Sequence, residues 1–224
     1  GSEAARRLLQ KTGATMYFAY YPLAPQHNAQ QAVKWLKGVY QAMQKRYAAE
    51  NIIFAGDSAG GNLATAVTLM ARDRGVAMPL ALMLIYPVTD RRMMTESMKK
   101  YTDTPVWDAK LNRTMWKCYL GDKEPRHAEY ASPAEAKDVS KFPPTYMEVA
   151  EFDCLRDEGA EFCEKLKSSG VSTEFHEIKG GCHGYETATG SLLVQACMDM
   201  RIAWMRKRVK ENNHGLYRRV KKIH

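Results

Sequence analysis

A chain of 224 residues, 45% of them hydrophobic and with no apolar run long enough to span a bilayer, has the material for one soluble globular domain with a sizeable core. Its net charge of +8 sits at one end: residues 201–224 carry nine Lys or Arg against Glu211 alone, and the first 200 residues balance at 24 against 24. That distribution argues against a nucleic-acid partner and for a solvated, basic C-terminal helix end at 206–224, whose cations suit the helix dipole.

The first residues lack the basic start and apolar run of a signal peptide. The five cysteines, Cys118, Cys154, Cys163, Cys182 and Cys197, form no C-x-x-C pair, and their odd number suits no disulfide framework. A reducing cytoplasm, no metal and no cofactor are the expectations.

Along the chain, apolar runs alternate with helical patterns, the signature of parallel strands joined by helices. The segment "ATMYFAY" (14–20) predicts a strand, and the punctuated "YPLAPQHN" follows it. Val33, Leu36, Tyr40, Met43 and Tyr47 recur at helical spacing, "NIIFAG" predicts the next strand, and Leu63, Val67 and Met70 mark a helix ending near Gly75. The uniformly apolar "LALMLIY" (80–86) predicts a central strand covered on both faces. Residues 90–141 lose the alternation and read as an insertion within the single domain 1–224. There Trp107, Met115 and Trp116 either line a substrate entrance or belong to an ordinary core. Beyond them, "PPTYMEVA" predicts a strand, Phe162 and Leu166 a helix stopped by Gly170, and the more polar "VSTEFHEI" a strand near an edge. A last helix carries Leu193, Cys197, Met200 and Trp204 on one face, and most of the 13 methionines sit on such stripes as core filler.

The chemistry concentrates at "FAGDSAGGNL" (54–63), a G-x-S-x-G sequence between a predicted strand and a predicted helix. That setting is a nucleophile elbow, a strained turn that exposes Ser58, with Gly56 and Gly60 required because side chains there would collide with neighbouring chain. The turn also aims the Ala59 N–H at an oxyanion. A helix-capping serine remains the plainer reading, and a phosphate-binding glycine turn is weaker, because neither GK[ST] nor G-x-G-x-x-G spacing is present. A serine hydroxyl needs a base and an orienting acid, and in the hydrolase order both lie downstream after later strands. "EFDCLRDEG" offers Asp153 at the end of its strand. It also offers Asp157, where an acid would cap the helix beginning near Glu158. "GGCHGY" offers His183. The other histidines, His27, His127, His214 and His224, fall in turns, loops or the tail, and His176 lies within a strand.

The run "YYPLAPQH", "GDSAGGNLA", "YPVTD", "FPPTYMEVAEFDCLRDEG", "LKSSGV" and "GGCHGY" resembles the hormone-sensitive-lipase-like α/β-hydrolases, the acetyl esterase and arylesterase group, from residue 14 to about 205. The resemblance implies an α/β-hydrolase fold, a mostly parallel sheet flanked by helices. It also implies hydrolysis of short-acyl carboxylic esters, with Ser58 as nucleophile, Asp153 as acid and His183 as base. The family arginine after the tyrosine of "YYPLAPQH" is Pro22 here, so the charge partner expected for Asp57 is missing. The family's HGGG loop and the third strand beside "NIIFAG" lie upstream of anything in this sequence. Without that strand, its two neighbours would stand about 9–10 Å apart with rows of unpaired backbone groups. The expectation is therefore an upstream segment in the intact protein, or another piece of chain as in a homo-oligomer, that completes the sheet, with "GSEAARRLLQKTG" as the connecting helix. Two rivals share these residues: a peptidase or amidase using the same triad, and a non-catalytic binding protein lacking half an oxyanion hole.

Overall fold

The computed structural model describes residues 3–24, 26–121 and 124–221. In chain order the elements are α1 (Glu3–Thr12), α2 (Ala29–Gln44), β1 (Ile53–Asp57), α3 (Ala59–Asp73), β2 (Ala81–Ile85), α4 (Glu96–Lys100) and α5 (Ala109–Leu120), followed by β3 (Thr145–Phe152), α6 (Arg156–Ser168), β4 (Thr173–Cys182) and α7 (Leu192–Lys221). By density of contacts they form two compact units, one of Ala19–His183 and one of Gly1–Phe18 with Gly184–His224.

The larger unit holds a four-stranded sheet of order β1-β2-β3-β4, every pair parallel. Parallel neighbours need a crossover, and α3 and α6 supply two of them, while α4 and α5 lie in the long connection from β2 to β3. All five positions of β2 are buried, as the uniformly apolar sequence requires of a strand covered on both faces. Leu82, Leu84 and Met147 from the sheet pack with Leu69 of α3 and with Phe162, Cys163 and Leu166 of α6. Burial of each large apolar side chain contributes about 1.5–3 kcal/mol. Truncating Phe162, 1% exposed, is the single change that empties this layer most, at about 3–5 kcal/mol. On the α2 side, Val33 and Tyr40 close over Leu63, Ala66, Val67 and Met70. The helix ends carry the expected punctuation: Asn28 and Gln31 form a capping box on α2, and Gly75 and Gly170 take positive φ of 63° and 81° just beyond α3 and α6.

Two expectations need correction. Residues 14–20 form no strand; Tyr17, Phe18 and Tyr20 are 51%, 53% and 87% exposed. A strand exists only through its ladder, and among the described strands β1 pairs with β2 alone, so β-favouring side chains at 14–20 have no register to join. The helix after β3 begins at Arg156, its N-cap Leu155 offers no side-chain bond, and Asp157 lies inside the first turn. The carboxylate caps a different helix: Asp157 Oδ2 accepts the amide of Ser97 in α4 at 2.7 Å.

The smaller unit contains α1 and α7, joined by Arg7 Nη2 donating to Asp199 Oδ1 at 2.8 Å. Among the described side chains of α7 the buried ones are Val194, Cys197, Met198, Arg201, Ile202, Trp204 and Met205, so Leu193 and Met200 lie at the margin of the stripe. An apolar count misses Arg201 because burial of its guanidinium rests on specific partners. It donates to Tyr185 Oη at 2.8 Å and pairs with Glu186. The basic tail of 206–224 runs along α7 to Lys221, and residues 222–224, like Gly1 and Ser2, lie outside the described residues.

Candidate active site

Ser58 is the only residue between the end of β1 and the start of α3, and its backbone takes φ 50° and ψ −119°. For a residue with a side chain that conformation is strained by about 1–3 kcal/mol and persists only where surrounding bonds over-determine it. Three do so here. Ser58 N–H donates to Ile85 O at 2.9 Å, and Ser58 O accepts from Val88 N and Asn62 N, both at 3.2 Å. The buried Asn62 donates from Nδ2 to Val88 O at 3.0 Å and to Ala131 O at 2.8 Å, fixing the loop after β2 to the first turn of α3.

Close packing explains one elbow glycine and reassigns the other. A Cβ on Gly56 would stand 2.3 Å from Gly60 O, which no relaxation of a flexible side chain relieves. On Gly60 it would meet nothing nearer than Asp57 Oδ1 at 3.5 Å, an ordinary contact; the close approach falls one residue later, where a Cβ on Gly61 would lie 2.8 Å from Pro87 Cβ. Gly60 is thus not sterically required. Ala59 opens α3, where a first-turn amide has no intrahelical acceptor and points out of the helix beside Ser58.

The strands deliver the remaining groups to the same end of the sheet. Asp153 follows β3 directly, is fully buried, and accepts Leu155 N–H on Oδ1 at 3.0 Å. His183 follows β4 directly and is 6% exposed. Its Nδ1 lies 2.7 Å from Asp153 Oδ2 and its Nε2 2.9 Å from Ser58 Oγ. With the Nδ1 proton held by the carboxylate, Nε2 is left to accept the serine proton. The imidazole also lies against two rings, Tyr86 at 4.5 Å and Trp107 at 5.9 Å between centroids. Tyr86 follows β2 directly, at positive φ of 34°. Asp157 takes no part: its carboxylate is held by Arg156 at 2.8 Å and by Ser97 N. Burial pushes that carboxyl up, but the bonds from Arg156 and Ser97 together hold it below the usual carboxylate range.

Ser58 faces a cavity of about 360 Å³ lined by Tyr21, Val88, Trp107 and Met115 above Asp57, Ala59 and Gly60. Trp107 and Met115 therefore reach the site, whereas Trp116 is 4% exposed in the cluster with Met98, Tyr101 and Leu155. A larger groove of about 710 Å³, floored by Val33 and Met70, contains none of the three site residues. Burial, then the Asp57 charge, raises the Tyr21 phenol. Burial also raises the Cys154 thiol, with Asp153 and Glu158 adding to the effect, so the cysteine next to the acid is an inert neighbour. Among the described residues no group of three or more His, Cys, Asp or Glu is arranged to hold a metal ion.

The sequence does not single out Asn62, Tyr86 or Glu158 for the site. Asn62 and Tyr86 stand inside the "GDSAGGNLA" and "YPVTD" segments, so their position was visible although their contacts were not.

Residues 2–187 match the model of a family described as the alpha/beta hydrolase fold. The chain belongs to that family. Esterase LipI of Mycobacterium tuberculosis is 32% identical over 171 residues, covering 74% of this chain and 53% of that protein. The ethyl acetate hydrolase of Pseudomonas putida is 30% identical over 197 residues, covering 84% and 61%. Among solved structures, a bacterial heroin esterase superposes with a TM-score of 0.80 at 32% identity, covering 84% of this chain and 62% of that one. A hyperthermophilic esterase from Pyrobaculum calidifontis gives 0.85 at 31% identity, covering 92% and 70%. The chain thus spans about half to three-fifths of the length of these two curated relatives. As an α/β-hydrolase with esterase relatives it bears out both the fold and the hormone-sensitive-lipase-like resemblance read from the sequence.

Proposed function

We propose that the protein is a serine carboxylesterase acting on short-acyl esters through Ser58, His183 and Asp153. The observation that carries the reading is the unbroken line of hydrogen bonds from Asp153 Oδ2 through His183 to Ser58 Oγ, at 2.7 and 2.9 Å, ending at the floor of an open cavity. His183 Nε2 takes the Ser58 proton as Oγ attacks the ester carbonyl, and the imidazolium that forms is stabilised by Asp153. The Ala59 N–H donates to the oxyanion. His183 returns the proton to the departing alcohol, then activates a water that releases the acid and frees Ser58. No step calls for a cofactor. The modest cavity, walled by Trp107 and Met115, favours a short acyl or small aromatic group.

The second half of the oxyanion hole belongs, in this reading, to a strand-and-loop segment that completes the sheet beyond β1, from upstream residues or from a second copy. Its support is that β1 pairs on one side only among the described strands, leaving a row of backbone donors and acceptors to be met. No helix among the described residues is long and apolar enough to cross a membrane. That the five cysteines form no disulfide favours a reducing cytoplasm.

The test is covalent labelling by a fluorophosphonate together with turnover of p-nitrophenyl acetate. Labelling and turnover that both disappear in Ser58→Ala support the assignment, and an unlabelled wild-type protein, or a Ser58→Ala variant that still turns over ester, overturns it.

A further inference from the structure

Glu158 is 1% exposed in the first turn of α6, five residues after the acid Asp153. Among the described residues no side chain of opposite charge is paired with it. Instead its Oε1 accepts the amide of Thr89 at 2.6 Å, the amide of Asp90 at 3.2 Å and the Thr89 hydroxyl at 3.4 Å. Its Oε2 is buried without a hydrogen-bond partner. An acid buried in this way costs several kcal/mol unless it is protonated or repaid by what it holds.

What it holds is the loop after β2. The preceding residue, Val88, donates its N–H to Ser58 O and accepts Asn62 Nδ2 on its carbonyl, so Val88–Asp90 is tied at one end to the nucleophile turn and at the other to Glu158. Glu158 shares its helix turn with the loop that carries Asp153, in which Arg156 N donates to Asp153 O at 3.1 Å. Elbow and acid loop, contributed by different strands, are therefore joined through one carboxyl group.

We propose that Glu158 is a positioning residue of the active site, a carboxyl clamp that sets the distance between the Ser58 elbow and the Asp153–His183 pair. The proposal rests on the esterase reading above. The groups facing Glu158 are acidic: Asp90 from the loop after β2, itself paired with Arg92 at 2.7 Å, and Asp153 from the loop after β3. Burial first, with those charges adding and the Thr89 and Asp90 bonds opposing, pushes the Glu158 carboxyl up to about 8. At neutral pH it holds its proton on the unpartnered Oε2 while Oε1 goes on accepting both amides. A group whose proton is held more tightly in the folded state makes stability fall as pH rises from the ordinary value, 4.5, to about 8.

The experiment compares wild type, Glu158→Ala and Glu158→Gln by p-nitrophenyl acetate kinetics, by hydrogen exchange at the Thr89 and Asp90 amides, and by the slope of Tm against pH. Glutamine keeps the acceptor at Oε1 and cannot ionise. Expected for Glu158→Ala is a kcat loss on the order of 10- to 100-fold with KM little changed, and faster exchange at both amides. Glu158→Gln should recover most of the kcat and exchange protection while flattening the Tm slope. An alanine variant with wild-type kcat and exchange, or a glutamine variant no faster than the alanine one, overturns the proposal. If Glu158→Ala does not fold, a Glu158→Gln variant that loses exchange protection at the Thr89 and Asp90 amides overturns it. Should the wild-type protein prove inert toward esters, exchange at the Thr89 and Asp90 amides still decides the clamp, so the two readings fail separately.

Discussion

Asp157 and Ser97 exchange two hydrogen bonds, Ser97 N to Asp157 Oδ2 at 2.7 Å and Asp157 N to Ser97 Oγ at 3.1 Å, and so lock α4 onto α6. The second aspartate of "EFDCLRDEG" is thereby committed to structure, while the first, Asp153, faces His183. Replacing Asp157 by Ala should cost about 1–3 kcal/mol of stability and leave kcat within a fewfold of wild type. Asp153→Ala should lower kcat on the order of 10⁴-fold. Denaturant unfolding and steady-state kinetics on both variants check the assignment; the reverse pattern would exchange the two roles.

The same pair predicts a pH effect of known sign. Because the folded protein holds the Asp157 carboxyl below its ordinary value of 3.8, the stability it supplies is complete above that pH and is lost as pH falls through the depressed value. Asp157→Asn should start less stable at neutral pH and lose less on acidification, seen as a shallower fall of Tm in the acid range.

Ser58→Ala and His183→Ala should each reduce kcat by a factor on the order of 10⁶, and the double variant scarcely further, because the two act as one unit. Multiplicative losses in the double variant would show that they do not.

The glycines of the elbow should separate on substitution. Gly56→Ala and Gly61→Ala, with overlaps at 2.3 and 2.8 Å, should destabilise by about 1–3 kcal/mol or prevent folding. Gly60→Ala meets only a 3.5 Å contact inside a helix, where alanine is better than glycine by up to about 1 kcal/mol, so Tm should hold or rise.

Trp107 should govern acyl selectivity, since it both walls the cavity and stacks on His183. Trp107→Ala should shift the ratio of kcat/KM for p-nitrophenyl octanoate over acetate upward by about tenfold or more. An unchanged ratio would remove Trp107 from the acyl pocket.

The elbow, both downstream loops and all four strands of the sheet were legible because each rests on local pattern: a strand's apolar run, a turn's small residues, and the order in which acid and histidine follow them. What was not legible depends on distant partners. "ATMYFAY" has the composition of a strand, yet pairing and not composition makes one. Gly60 and Gly61 are equivalent in the letters "AGGN", and only the position of Pro87 separates them. Glu158, in "RDEGAEF", reads as a surface helix residue, and nothing nearby in sequence announces that Thr89 will bury it. Arg201 was hidden for the same reason.

The positive φ of Ser58 carries a consequence for selection. Glycine would occupy that backbone conformation without strain, so Ser58→Gly should raise the melting temperature even as it removes the hydroxyl. A library of variants sorted for thermal endurance alone would drift toward a sturdier, inert protein, and sorting for turnover would pull it back. On the esterase reading, this one position holds the molecule away from its most durable sequence.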